Sequence, residues 1–233
     1  MIFKIAFTVL FAFAIYIFFP SIIKIYLKKR QNQVLVESGA ICLTFDDGPD
    51  PRATPAIIKL LNEKQIKATF FPIGIKVEKY PYLANLISSQ GHLIGEHGYS
   101  HIHAWKLNPV AYYKDLIKEN TVIDNFFGKS QTRFFRPANG KVNLITLAYT
   151  LISHRQIIFW TVNSYDYKLS DTDLLVEKIT AQIKKGAVIL FHDGRDIGEE
   201  DPSSTVRALK ALLYHKDLQG RKFATLDEVF SAH

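Results

Sequence analysis

The chain has a single cysteine, Cys42, among its 233 residues. A lone thiol excludes an internal disulfide and any cysteine-rich zinc site. Its place in the apolar run Ile41-Cys42-Leu43 fits a buried, inert side chain better than a nucleophile. Acidic residues are missing from residues 1–30, which hold Lys4, Lys24, Lys28, Lys29 and Arg30. Without that segment 24 basic residues face 22 acidic ones, so most of the formal charge of +7 is N-terminal. No basic stripe or recognition motif is left in the remainder to support nucleic-acid binding. Repeats and low-complexity tracts are also absent. With 48% apolar and 22% charged residues, the composition predicts one folded domain of ordinary size.

Charge is missing altogether from residues 5–23, a run of 19 residues. As a helix it would span about 28 Å, close to the ~30 Å hydrocarbon core of a bilayer. No small-x-small cleavage pattern follows closely. The expected organisation is therefore a retained single-pass membrane anchor over residues 1–30, a polar linker over 31–40 and one functional domain over 41–233. The four cations that follow the run would hold that domain in the cytoplasm by the positive-inside rule.

Beyond residue 40, strand-like and helix-like runs alternate. Apolar, β-branched or aromatic runs at 41–45, 68–73, 93–95, 133–135, 157–162, 187–191 and 222–226 predict seven strands. Segments with helical periodicity separate them, at 54–64, 80–90, 109–127, 143–154, 171–184 and 204–215. Asn108 and Asp171 are helix-start signals, and Gly91, Gly128 and Gly186 are stops. The alternation predicts a parallel α/β arrangement, open or closed into a barrel. In such folds sites gather at the carboxyl ends of strands. There the sequence has Asp46-Asp47, His97, Arg136, Asp166 and His192.

Each of these motifs has an ordinary explanation when taken alone. Asp46-Asp47-Gly48-Pro49 makes a good turn, and His97 and His101 could be four apart by chance among eight histidines. Arg136-Pro137 could serve a surface ion pair, and His192-Asp193-Gly194 a turn. Together they supply more. Carboxylate and imidazole are the ligand set of a borderline divalent metal. A second aspartate beside such a site leaves a free carboxylate to act as a base, which is what a metal-dependent hydrolase requires.

The motifs resemble those of the polysaccharide deacetylase family, carbohydrate esterase family 4, whose members include chitin and peptidoglycan deacetylases. The first is Thr44-Phe45-Asp46-Asp47-Gly48-Pro49, and the second runs from Gly91 to His103 with its two spaced histidines. Phe135-Arg136-Pro137-Ala138-Asn139-Gly140, Asn163-Ser164-Tyr165-Asp166-Tyr167 and Val188-Ile189-Leu190-Phe191-His192-Asp193 are similar to the third, fourth and fifth. The resemblance spans about residues 41–226 and implies a distorted (β/α) barrel, here with about seven parallel strands after the N-terminal transmembrane helix.

The resemblance also implies roles. Asp47, His97 and His101 would hold a divalent ion, zinc first, with Co, Ni or Fe also suited to the ligands. Asp46 would be the base and His192 the acid. Arg136 would pair with Asp46, and Asp166 would orient His192. The backbone N–H of Asn139 would face the oxyanion, and Tyr167 would form an aromatic wall. Gly98 stands where Ser or Thr is usual, and Ala138-Asn139 where Pro-Tyr is usual. The implied substrate is an N-acetylated or N-acylated amino sugar, in a cell-envelope polysaccharide or on a lipid. An O-acetyl esterase and a catalytically silent glycan-binding protein are the alternatives. Envelope substrates favour an extracytoplasmic domain, against the flanking charges.

Overall fold

All six residues of strand β1 (Ile41–Asp46) are buried. Such continuous burial suits a parallel strand covered on both faces. β1 lies at the centre of a five-stranded parallel sheet. On one side it pairs with β2 (Thr69–Phe71), which pairs with β3 (Leu93–Ile94); on the other it pairs with β7 (Ala187–His192), followed by β6 (Val162–Asn163). Phe45 stacks between Phe70 and Phe191, with ring centroids 4.9 and 5.7 Å away, and so fixes the three central strands beneath the site. Cys42 is fully buried, and burial pushes its thiol up to about 12, so it is inert as expected. This computed structural model describes residues 2–128, 133–168, 171–195 and 203–231, without the side chains of residues 2, 3, 5, 6, 9, 10 and 12.

The expected seven-stranded barrel appears only in part. Strands β4 (Phe134–Phe135) and β5 (Gln156–Ile157) form a separate parallel pair, joined to the main sheet by a bridge between Glu96 and Phe135. The single strand expected over 157–162 breaks into β5 and β6. Ile158 N–H bonds to Phe135 while Thr161 N–H bonds to Val188, so the chain crosses from one sheet to the other within these residues. The seventh predicted strand reduces to one bridge, Phe223 with Ile41.

The helices follow their sequence signals more closely. Helix α2 (Thr54–Glu63) begins with Pro55 in its first turn. Helix α5 (Pro109–Phe127) is capped by Asn108, whose side chain accepts from Ala111 N–H at 2.9 Å. Asn143 and Thr146 form a reciprocal box at the start of α6 (Leu144–Ile152), and Asp171 caps α7 (Thr172–Gln182). Helix α8 (Ser203–Tyr214) packs against α2 and α7. Two short helices among the described residues were not expected: α3 (Gly74–Lys79), which ends where Pro81 opens α4 (Pro81–Ser89), and α9 (Leu226–Phe230). Five or six residues are too few to display a period.

The N-terminal expectation is overturned. Among the described residues no helix is long and apolar enough to cross a membrane, so a single-pass anchor and a membrane location are not supported. Part of the uncharged run, the side chains at 5, 6, 9, 10 and 12, lies outside those described. Residues 31–38, expected as a linker, are the last turns of α1 (Ile2–Ser38). From Tyr16 onward that helix lies along the domain. Pro20, Gln31, Val34 and Leu35 are buried, with Leu27 half-buried, a spacing of three and four that places them on one face. Lys24 Nζ donates to the carbonyl of Gly140 at 2.6 Å, and Tyr16 Oη accepts from Asn143 at 2.7 Å. Gln31 donates to the Ile157 carbonyl and accepts from Phe159 N–H at 3.2 Å, pairing its amide with the edge of β5. The opposite face leaves Phe11, Phe18, Ile22 and Ile25 exposed. Uniform apolarity in the sequence concealed which face would dock.

Candidate active site

The register of the central strands sets up the site. Asp46 ends β1 directly opposite His192, which ends β7, and Asp193 N–H donates to the Asp46 carbonyl at 3.0 Å. The sheet therefore carries a carboxylate and an imidazole on neighbouring strand ends. Asp47 follows with a left-handed backbone, φ +69. Lys76 on α3 steadies it by donating to the Asp47 carbonyl at 2.6 Å. Gly48 is required next: a Cβ there would stand 2.1 Å from the Asp193 carboxylate.

Asp47 meets both histidines. Its Oδ1 lies 3.2 Å from His97 Nε2 and 2.9 Å from His101 Nε2, and the two rings are 4.9 Å apart. One oxygen and two nitrogens thus fall within 4.8 Å of one another. Nδ1 of His97 lies 2.7 Å from the Arg136 carbonyl, which can only accept. The proton must sit on Nδ1, which leaves the Nε2 lone pair facing Asp47. Burial would raise Asp47, yet the adjacent His101 and His97 rings, when charged, hold it well below the usual carboxylate range. These donors fit a divalent ion in kind and in burial, and His97 also in tautomer.

Asp46 is buried and stands 3.6 Å from His97 Nε2 through Oδ2. Its Oδ1 accepts from Arg136 Nη1 at 2.7 Å. Arg136 has no exposed surface; it also donates to Thr44 Oγ1 at 2.8 Å and lies over the Phe71 ring. Burial lowers its guanidinium from the ordinary value, and the Asp46 charge opposes that. Across the site, Asp166 Oδ1 lies 2.8 Å from His192 Nδ1 and accepts from Ser164 Oγ. Its Oδ2 accepts from His192 N–H and Thr205 Oγ. Burial would lower His192, but the Asp166 carboxylate outweighs it and the imidazole is pushed up to about 9. Burial would likewise raise Asp166, and the charge and hydrogen bond of His192 hold it below its ordinary value.

These groups surround a cleft of roughly 230 Å³, open to solvent. Seven of the residues expected from the sequence line it: Asp46, Asp47, His97, His101, Asn139, Tyr167 and His192. Arg136 and Asp166 lie behind, buried against Asp46 and His192. Asn139 has φ +54, a conformation that Asn tolerates better than most residues, and the Tyr167 ring stands edge-on to His192 at 5.2 Å.

Sequence reasoning missed Trp160, Asn163, Leu190 and Arg195 in the lining. Trp160 and Leu190 lay inside predicted strands, where apolar residues are read as core. It also missed Glu119. The buried face of α5 comprises Tyr112, Leu116, Glu119, Val122 and Ile123, and an acid among those positions was a readable signal. Glu119 accepts from the backbone N–H of both His97 and Gly98. Glu96, also buried, accepts from Tyr149, Asn120 and Arg155. Burial raises both carboxyls, with Glu96 adding to the rise at Glu119.

The chain is similar to several known proteins. A family model described as polysaccharide deacetylase matches residues 35–151. Two peptidoglycan-N-acetylglucosamine deacetylases of Bacillus cereus are 32% and 33% identical to the chain. The first alignment covers 82% of this chain and 68% of the relative, the second 81% and 87%. A chitooligosaccharide deacetylase of Bradyrhizobium is 29% identical over 75% of this chain and 82% of its own. Among solved structures, the Bc1960 peptidoglycan N-acetylglucosamine deacetylase superposes with a TM-score of 0.76. It is 31% identical, with 83% of this chain and 88% of that one covered. A pseudoenzyme of carbohydrate esterase family 4 from Bacillus anthracis superposes with a TM-score of 0.72 at 26% identity, covering 82% and 64%.

Proposed function

The chain belongs to the polysaccharide deacetylase family, and we propose that it removes N-acetyl groups from the amino sugars of a cell-envelope polysaccharide. Residues 41–233 form the catalytic domain in this reading. Asp47, His97 and His101 hold a divalent ion, zinc being the first choice and Co, Ni or Fe the others. When bound, the ion supplies a Lewis acid that polarises the scissile carbonyl and acidifies water. The observation that carries the reading is the placement of Asp47 Oδ1 between two imidazole nitrogens, with Asp46 and His192 paired on adjoining strands. A membrane anchor would have favoured a lipid-linked sugar, and without it the polysaccharide is the reading preferred here.

The chain's own groups divide the proton traffic. Asp46 is kept in place by Arg136 at Oδ1, so Oδ2 is left to take the proton of the attacking water. The water oxygen bonds to the acetyl carbon, and the charge that develops on the carbonyl oxygen faces the backbone N–H of Asn139. His192 holds its Nδ1 proton against Asp166, which leaves Nε2–H to be given to the sugar nitrogen. The C–N bond then breaks, and acetate and a free amine leave. Tyr167 and Trp160 supply the flat apolar surface that a sugar ring stacks on.

The test is amine release from N-acetylglucosamine oligomers. Chelator should abolish it and added zinc, cobalt or nickel should restore it. A folded protein that releases no amine with any of these metals, or that works equally well in excess chelator, would overturn the reading.

A further inference from the structure

We propose that Glu119 and Asp115, one turn apart on α5, are positioning residues that set the spacing of His97 and His101 by holding the backbone between them. The inference rests on the reading of Asp47, His97 and His101 as metal ligands.

Past Glu96 the chain leaves the sheet, and residues 97–101 follow no regular pattern: Gly98 has φ +97 and His101 φ +58. Four consecutive N–H groups there need acceptors away from any strand partner. Two carboxylates accept all four. Glu119 takes His97 N–H on Oε1 and Gly98 N–H on Oε2, at 2.5 Å each. Asp115 Oδ2 takes Tyr99 N–H at 3.1 Å and Ser100 N–H at 3.5 Å, and Oδ1 takes the Ser100 hydroxyl at 2.5 Å. On the other side, Gly74 and Ile75 at the start of α3 donate to the carbonyls of Gly98 and Tyr99. The loop is thus gripped on both edges by helices.

Glu119 is costly where it stands. It has no exposed surface, and the hydrogen bonds it makes are to the two N–H groups of the loop. A hydrophobic residue on this face of α5 would serve packing alone at less cost. Carboxylates held by such N–H pairs fix backbone geometry, and partners of this kind govern how a metal site is presented.

The two carboxylates predict different responses to amide replacement. In Glu119→Gln both positions face donors, so the new NH₂ opposes an N–H whichever way the amide turns. In Asp115→Asn the carbonyl can face Tyr99 and Ser100 while the NH₂ donates to the Ser100 hydroxyl oxygen. The experiment is a chelator-competition titration of the full chain with Zn²⁺, together with the visible spectrum of the Co²⁺-loaded protein. The melting temperature of each metal-free variant is measured alongside. Glu119→Gln should weaken Zn²⁺ binding about 10- to 100-fold and alter the Co²⁺ spectrum at a temperature where the protein is folded. Asp115→Ala should weaken binding at least about threefold, and Asp115→Asn should remain within about twofold of the unmodified chain. Wild-type affinity in both Glu119→Gln and Asp115→Ala overturns the proposal and leaves the metal reading intact. If Glu119→Gln does not fold, the contrast between Asp115→Ala and Asp115→Asn decides, and equal affinities overturn it. If the unmodified chain binds no more Zn²⁺ than His97→Ala, the metal reading itself fails and this proposal with it.

Discussion

Replacing Asp166 by Asn tests the assignment of His192 as the proton donor. His192 is 13% exposed and Asp166 has no exposed surface, so their pairing is little screened. The imidazole stands at about 9 against an ordinary 6.5, and burial pulls the other way. The rise corresponds to about 3 kcal/mol in favour of the charged form. The asparagine can keep most contacts. Its NH₂ would replace Oδ1 and donate to Nδ1 of a neutral ring and to Ser164, while its carbonyl still accepts from His192 N–H and Thr205. The variant should therefore fold with His192 neutral, protonated at Nε2 and a far weaker acid. NMR of the ring proton in metal-free protein, assigned with His192→Gln, should show a midpoint near 9 that falls by at least about 2 units in the variant. Turnover at pH 8 should drop on the order of 100-fold. Stability should follow the same logic. With His192 raised, the pair's contribution is complete below pH 6.5 and is lost as the pH rises through about 9. With Asp166 lowered, the contribution fades on the acid side as pH falls below the ordinary carboxylate value. A variant midpoint within about half a unit of the parent would show that Asp166 is not what charges the ring, and the assignment would fall.

Two further substitutions separate binding from chemistry. Asp46→Asn should retain stoichiometric metal, measured by elemental analysis, and lose turnover at least about 100-fold; an active variant would mean that another group is the base. Arg136→Met should leave Asp46 buried without its partner and cost roughly 3–5 kcal/mol in chemical denaturation, along with activity. An unchanged denaturation midpoint would refute the view that this ion pair carries structural weight.

The site was more legible in the sequence than the sheet around it. Asp46-Asp47, the two histidines, Arg136, Asp166 and His192 could be found because their types are costly to bury and each follows an apolar run. What could not be read was pairing. Strand order places the first strand between β2 and β7, and that depends on contacts more than a hundred residues apart in the chain. The run 157–162 has uniform β propensity, yet its two ends bond to different sheets, a choice made by partners and not by its own residues. The partners of Glu119 were hidden for a related reason. Helical periodicity marks which face turns inward, but only the fold shows that the inward neighbours at that point are two bare N–H groups.

The docking of α1 gives the proposed catalytic domain a support from outside its own residues. A cut at residue 40 follows the sequence motifs, but it removes the partners of the Gly140 carbonyl, the Asn143 amide and the outer edge of β5. Gly140 adjoins Asn139, so the amide expected to face the reacting oxygen is braced from a segment more than a hundred residues upstream. The first helix behaves as a splint, and a protein trimmed to its motifs would carry every reactive group on a slackened frame.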